Sequence, residues 1–147
     1  MTQPRIRSKK RKKYAGIAID LNMVDEEITI FVDGKRVAKT YFVFDGPMIR
    51  VTDVITEDDY QMNGYGRMMF DVLKAVARHH KMPIYLWALD DAIPFYEKIG
   101  MLHLNDPEVQ KKVIFANVKD EKIKEEVDED DFVWLPKGLR GRPLIYL

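Results

Sequence analysis

The 147-residue chain contains no cysteine. Thiol nucleophiles, disulfide frameworks and cysteine-ligated metal centres are therefore excluded, and a reducing compartment fits. Histidine is scarce as well. His79, His80 and His103 have no recognised ligand spacing, so no metal is expected. No apolar run approaches the roughly 20 residues that span a bilayer. The basic amino terminus is not followed by a hydrophobic export segment. A cytoplasmic protein without membrane contact is the resulting expectation. Long Gly/Ser linkers and internal repeats are also missing, which favours one domain. What is present, 46% apolar and 33% charged residues, suits a globule with its own core and argues against uniform disorder.

The zero net charge conceals an asymmetry. Residues 1–13 carry seven basic side chains and no acid, leaving 17 basic against 24 acidic residues in the remainder, a balance of −7. Residues 1–13 read as a flexible basic tail, and residues 14–147 as the folded domain. A solubilising role, a nucleic-acid or other polyanion contact, and an intramolecular contact with the acidic body all fit the tail. It has no aromatic side chain to stack on bases, which speaks against base reading. A second run, Asp120 to Asp131, reads as a solvated loop or helix end, or as a docking face for a cationic substrate.

Tyr14–Leu21 alternates and is a candidate first strand. Glu27–Val32 and Val37–Phe44 flank Asp33-Gly34, a hairpin signal. Asp45-Gly46-Pro47 marks another turn and Ile49–Ile55 the next strand. Met68–His80 has helical apolar spacing through Met69, Leu73 and Val76. Ile84–Leu89 is apolar on both alternating faces, so a central strand covered on both sides is expected, with Trp87 in the sheet core rather than serving as a ligand platform. Ala92–Ile99 reads as a short helix ended by Gly100. Later, Asp106-Pro107 can start a helix. Val113–Val118, Phe132–Leu135 and Pro143–Tyr146 are candidate strands, with Trp134 and Tyr146 as core residues, groove lining or a dimer contact.

The chemical signal lies in Gln61-Met62-Asn63-Gly64-Tyr65-Gly66-Arg67, between a strand and the long helix. Two glycines at a helix start permit close backbone approach, and the exposed first-turn amides attract phosphate oxygens. Arg67 adds a charge. The segment lacks the Gly-Lys-Ser/Thr ending of a P-loop and the full dinucleotide fingerprint, so ATP hydrolysis is disfavoured. A purely structural glycine turn is the competing reading.

This segment resembles the signature of the GCN5-related N-acetyltransferase (GNAT) superfamily, Gln/Arg-x-x-Gly-x-Gly/Ala, through Gln61, Gly64 and Gly66. A second stretch, Ala92-Ile93-Pro94-Phe95-Tyr96-Glu97-Lys98-Ile99-Gly100-Met101, resembles that family's Ala-Ile-x-Phe-Tyr-Glu-Lys-x-Gly-Phe. The resemblance implies an α/β acyl-CoA N-acyltransferase fold, a mixed central sheet flanked by helices. With about 60 residues before Gln61, the early helices are expected to be reduced. It implies a phosphate loop for acetyl-CoA formed by Met62, Asn63, Gly64, Tyr65, Gly66 and Arg67, with Gln61 as a further contact. Backbone amides near Val54 and Ile55 would polarise the thioester. Tyr96 matches the family tyrosine assigned as proton donor to the leaving thiolate. Asp53 and Glu57 are candidate bases by proximity.

Two positions depart from the family pattern. Leu89 stands where an asparagine often contacts the cofactor, and Arg50 stands where histone-modifying relatives carry a strand glutamate. The expected activity is acetyl transfer from acetyl-CoA to a primary amine of a cationic small molecule or peptide, and the late apolar strands suit a homodimer. The alternatives are an acyl-CoA-binding regulatory or structural protein with little turnover, and a nucleic-acid binder that acts through its basic tail.

Overall fold

The computed structural model describes residues 16–61 and 63–147. The basic tail, Tyr14 and Met62 lie outside the described residues. Strand β1 (Ile17–Asn22) meets β2 (Glu27–Val32) through a tight turn at residues 23–26. Asn22 shapes that turn, its side-chain oxygen accepting the N–H groups of Val24 and Asp25 at 3.1 and 3.0 Å. Among the described residues no helix stands between β1 and β4, which agrees with the expected reduction of the early helices.

β2 continues into β3 (Lys35–Asp45) across Asp33-Gly34, whose φ angles of 51° and 81° are both left-handed. A two-residue hairpin turn matched to the right-handed strand twist needs that pair of angles. β3 then pairs antiparallel with β4 (Met48–Thr56). Helix α1 (Tyr65–His80) begins three residues earlier than the apolar spacing indicated. It buries Met69, Phe70, Leu73, Val76 and Ala77 as one stripe and packs on β2, β3 and β4. Arg78, His79 and His80 place basic groups at its carboxyl end, where the helix dipole favours them.

β5 (Ile84–Trp87) runs parallel to β4, and a short 3₁₀ turn leads into α2 (Ile93–Lys98). The remaining chain forms β6 (Leu102–His103), α3 (Pro107–Gln110), β7 (Ile114–Phe115), α4 (Ile123–Glu126), β8 (Asp131–Trp134) and β9 (Leu144–Ile145). The main sheet has the order β1-β2-β3-β4-β5-β8-β6, and β7 pairs with β9 separately. Only two residues of the expected 113–118 strand make a ladder. Among the described residues, no helix is long and apolar enough to cross a membrane.

The sheet separates two apolar clusters. Ile28, Ile30, Phe42, Ile49, Ile84 and Leu86 turn toward α1 and α2. Met48, Tyr85 and Val133 turn to the opposite face, where Leu104, Val109, Val113, Val127 and Ile145 cover them. Two expectations are corrected here. β5 is covered on both faces only from Ile84 to Leu86, because Trp87 is 60% exposed and Leu89 69%. The acidic run is not wholly solvated either. Asp131 is buried, accepts the Tyr85 hydroxyl, and accepts the Asp128 N–H at 2.9 Å. Burial raises the Asp131 carboxyl above its usual range in spite of those bonds, and burial together with the Asp131 contact raises the Tyr85 hydroxyl. Trp134 is half-buried against the first cluster, with Lys74 Nζ 5.6 Å and the Arg78 guanidinium 5.8 Å from its ring centre. Tyr146 packs on the second cluster.

Candidate active site

β4 and β5 pair only at Ile49–Ile84 and Arg50–Tyr85. Beyond those pairs β4 runs on to Thr56 and β5 to Trp87 without further partnership. A bulge gives the cause. In the β3–β4 ladder Phe42 faces Val51 while Tyr41 faces Asp53, so Thr52 is an extra residue. An extra residue bends and twists its strand. β5 meanwhile stays paired to β8 as far as Trp87–Asp131. The two strands part, and a wedge opens between them. Val54 and Ile55 lie on the β4 side of this wedge, paired with Thr40 and Lys39 of β3 on their other edge. Val54 turns toward the core, and Ile55 is 49% exposed.

From the end of β4 the chain passes through a 3₁₀ turn, Asp58–Tyr60, to the glycine segment. The Gln61 amide is spent inside this loop, donating to Thr56 O and Asp58 Oδ1, both at 3.3 Å. Asn63 Nδ2 donates to Gln61 O at 3.2 Å. Gly64 is the helix N-cap at φ 80°, ψ 9°, a conformation that L side chains avoid. A Cβ built there would meet no atom within 4 Å. Being glycine, the cap offers no side-chain acceptor to the first turn. Among the described residues, the amides of Tyr65, Gly66 and Arg67 find no backbone acceptor, and the Met68 N–H is the first to bond back, to Gly64 O at 3.0 Å. The Arg67 side chain is exposed beside them. A helix start whose first donors have no acceptor among the described residues, with open space over its cap, fits a phosphate group.

Gly66 does different work. A Cβ there would stand 2.9 Å from Phe95 Cζ and 3.2 Å from Cε1. Its missing side chain lets α1 close on α2. Tyr65 rests near Tyr60, with ring centres 6.3 Å apart.

Tyr96 lies on α2, 7% exposed, among the rings of Phe70, Phe95 and Phe132 at 5.7, 5.1 and 5.7 Å. Burial, with the charge of Asp53 adding to it, pushes its hydroxyl up to about 12. The fold therefore brings Asp53, just past the bulge, into electrostatic reach of Tyr96. Glu57 is not part of this pair. Its N–H bonds Val37 O at 2.8 Å, and it lines a hollow of about 60 Å³ with Arg36, Lys39, Tyr41 and Ile55, over β3 and β4. Arg50 is committed elsewhere. Its Nε donates to Asp45 Oδ2 at 3.0 Å, its Nη2 to Tyr146 O at 2.8 Å, and its guanidinium covers the Tyr85 ring at 5.0 Å. His103 lies 2.7 Å from Glu97 Oε2. Asp90, Glu129 and Asp130, beyond the end of β5, bring carboxylate oxygens within 4.8 Å of one another.

The exposure of two side chains at the wedge, Trp87 and Leu89, is not expected from the sequence. The alternation of β5 made them look like core, and no local signal announces that β4 departs after Arg50.

The model of the acetyltransferase (GNAT) family matches residues 11–101. No curated protein matches the chain in sequence. Among solved structures, the chain is similar to the Bacillus subtilis N-acetyltransferase YlbP in complex with coenzyme A, with 20% identity and a TM-score of 0.53 over 76% of this chain and 68% of that one. It is similar to the Escherichia coli GNAT-family protein YhbS in complex with CoA, with 8% identity and a TM-score of 0.53 over 92% and 71% of the two chains. The ribosomal-protein-S18-alanine N-acetyltransferase of Escherichia coli gives 17% identity and a TM-score of 0.53 over 91% and 79%. At such identities the likeness is one of fold. The wedge, the glycine-capped helix and the family match agree: the chain belongs to the acetyltransferase (GNAT) family, whose chemistry is acetyl transfer from acetyl-CoA.

Proposed function

We propose that the protein transfers an acetyl group from acetyl-CoA to a primary amine of a cationic small molecule or peptide. The observation that carries this reading is the wedge past Arg50–Tyr85, with the open glycine cap following one of its strands and Tyr96 and Asp53 in electrostatic reach of each other. The two similar structures solved with coenzyme A support it. Acetyl-CoA, when bound, supplies an activated thioester. The amides of Tyr65, Gly66 and Arg67 would hold its pyrophosphate, with Arg67 adding charge, and the unpaired edge of β4 near Val54 and Ile55 would receive its acyl arm.

The acceptor nitrogen must be neutral when it attacks the thioester. Asp53 would take its proton, directly or through water. Tyr96, held protonated at neutral pH, donates toward the departing sulfur. With its hydroxyl near 12 in the free site, complete transfer to a thiolate of ordinary pKa near 8.5 is uphill by about 5 kcal/mol. An ammonium group arriving beside Asp53 offsets the charge that contributes to this shift. The same pair thereby links amine binding to the acidity of the donor. The acidic balance of the body, with Asp90, Glu129 and Asp130 beyond β5, favours a cationic acceptor by attraction.

A second reading, acyl-CoA binding without turnover, is favoured by Arg50 in place of a strand acid and by Leu89 in place of a polar contact. The test is thiol release from acetyl-CoA in the presence of a panel of primary amines. Turnover with any amine above hydrolysis supports transfer, and binding of acetyl-CoA without turnover across the panel supports the second reading.

A further inference from the structure

Trp87 ends a central strand, where an aromatic side chain is ordinarily covered, yet it is 60% exposed. Its strand neighbours Leu86 and Ala88 are 2% exposed and point into the cluster under α1. Trp87 therefore shares the opposite face with Tyr85. It stands two residues beyond the last β4–β5 pair, at the wedge itself, with Leu89 next on the same side. Its partner on β8 is Asp131, and the segments that follow and precede the two strands carry Asp90, Asp91, Glu129 and Asp130. The cation on this face of β4, Arg50, is tied to Asp45 and to the Tyr146 carbonyl. Among the described residues no cation is seated on this indole, and an exposed indole in negative surroundings is the setting in which an aromatic face attracts a positive charge.

We infer that Trp87 is a specificity-determining residue, whose indole face holds a second, protonated amine or other cationic group of the acceptor while the reacting amine enters the wedge. This rests on the transfer reading above and narrows it to one class, amines that carry another cationic group a few carbon atoms away. Leu89 packs along the connecting carbon chain. Trp87 takes no part in the chemistry, so its removal acts on acceptor binding and leaves the acyl donor alone.

The experiment compares unbranched alkyl diamines with alkyl monoamines of equal length in wild type, Trp87→Ala and Trp87→Phe. The wild type should favour diamines. Trp87→Ala should raise the diamine KM about 2- to 30-fold, with kcat and the acetyl-CoA KM kept, and should erase the preference. Trp87→Phe should restore most of it. A binding readout runs beside turnover. In a Trp134→Phe background the remaining indole emission should shift on diamine titration and stay fixed with monoamine. Equal KM values in wild type and Trp87→Ala, with no emission shift, overturn the assignment while leaving amine acetylation standing. A wild type that binds acetyl-CoA and acetylates neither amine class overturns both readings.

Discussion

Replacing Gly66 by alanine tests how the two family segments are joined. Alanine is the better helix former, by about 1 kcal/mol in a helix interior, so propensity alone makes Gly66→Ala stabilising. The geometry reverses the sign. The new Cβ would stand 2.9 Å from Phe95 Cζ, and the Phe95 ring is held by Phe70 and Tyr96 at 6.1 and 5.1 Å. The ring has little freedom to withdraw, and overpacking of this kind costs about 1–3 kcal/mol. For a chain of this size, 2 kcal/mol corresponds to a Tm lower by about 4–8 °C. The assay is thermal and urea unfolding of four proteins: wild type, Gly66→Ala, Phe95→Leu and the double variant. Relief of the contact in the double variant should appear as a coupling of at least about 1 kcal/mol. A Gly66→Ala protein as stable as wild type, or costs that simply add, would refute the reasoning and return Gly66 to the phosphate loop alone.

Other expectations follow from the same geometry. Tyr96→Phe should lower kcat about 100-fold or more while acetyl-CoA affinity measured by titration stays within a few-fold, and an unchanged kcat removes Tyr96 as proton donor. Arg50→Met should cost about 1–3 kcal/mol in urea unfolding, because Asp45 and the Tyr146 carbonyl lose their donor, with kcat per folded molecule retained. A large loss of kcat at full stability contradicts that anchoring role. Asp131 holds its proton more tightly folded than unfolded, so its contribution to stability is present below the unfolded value near 4 and is lost as pH rises through the folded one. Asp131→Asn should flatten stability against pH from about pH 4 upward, and parallel profiles for variant and wild type would show that another group sets the slope.

Local chemistry made much of this fold legible. Asp33-Gly34 announces its hairpin because few residue pairs accept two left-handed positions. The stripe through Met69, Leu73 and Val76 announces α1 because its burial repeats with the helical turn. The two family segments could be read because each packs a particular geometry into few residues, an open cap at Gly64 and an aromatic nest around Tyr96. What stayed hidden depends on distant partners. Trp87 looks like core on periodicity, yet β4 leaves β5 after Arg50 and the indole stands exposed beyond that point. Asp131 looks like one more solvated acid in a run of acids until Tyr85, 46 residues earlier, supplies its hydroxyl. Gly64 and Gly66 look alike in sequence. One is needed for its φ and the other for the ring facing it.

The claim that underlies all of this is that the Gly64 helix start and the adjoining wedge bind acetyl-CoA. Calorimetric titration of the full chain with acetyl-CoA, with coenzyme A as the paired ligand and Gly64→Val as the control, tests it most directly. The account predicts saturable binding of both ligands near one per chain, and a marked loss of affinity in a Gly64→Val protein that remains folded by circular dichroism. Heat-silent titration of the folded wild type by both ligands, or equal affinity in Gly64→Val, would contradict it.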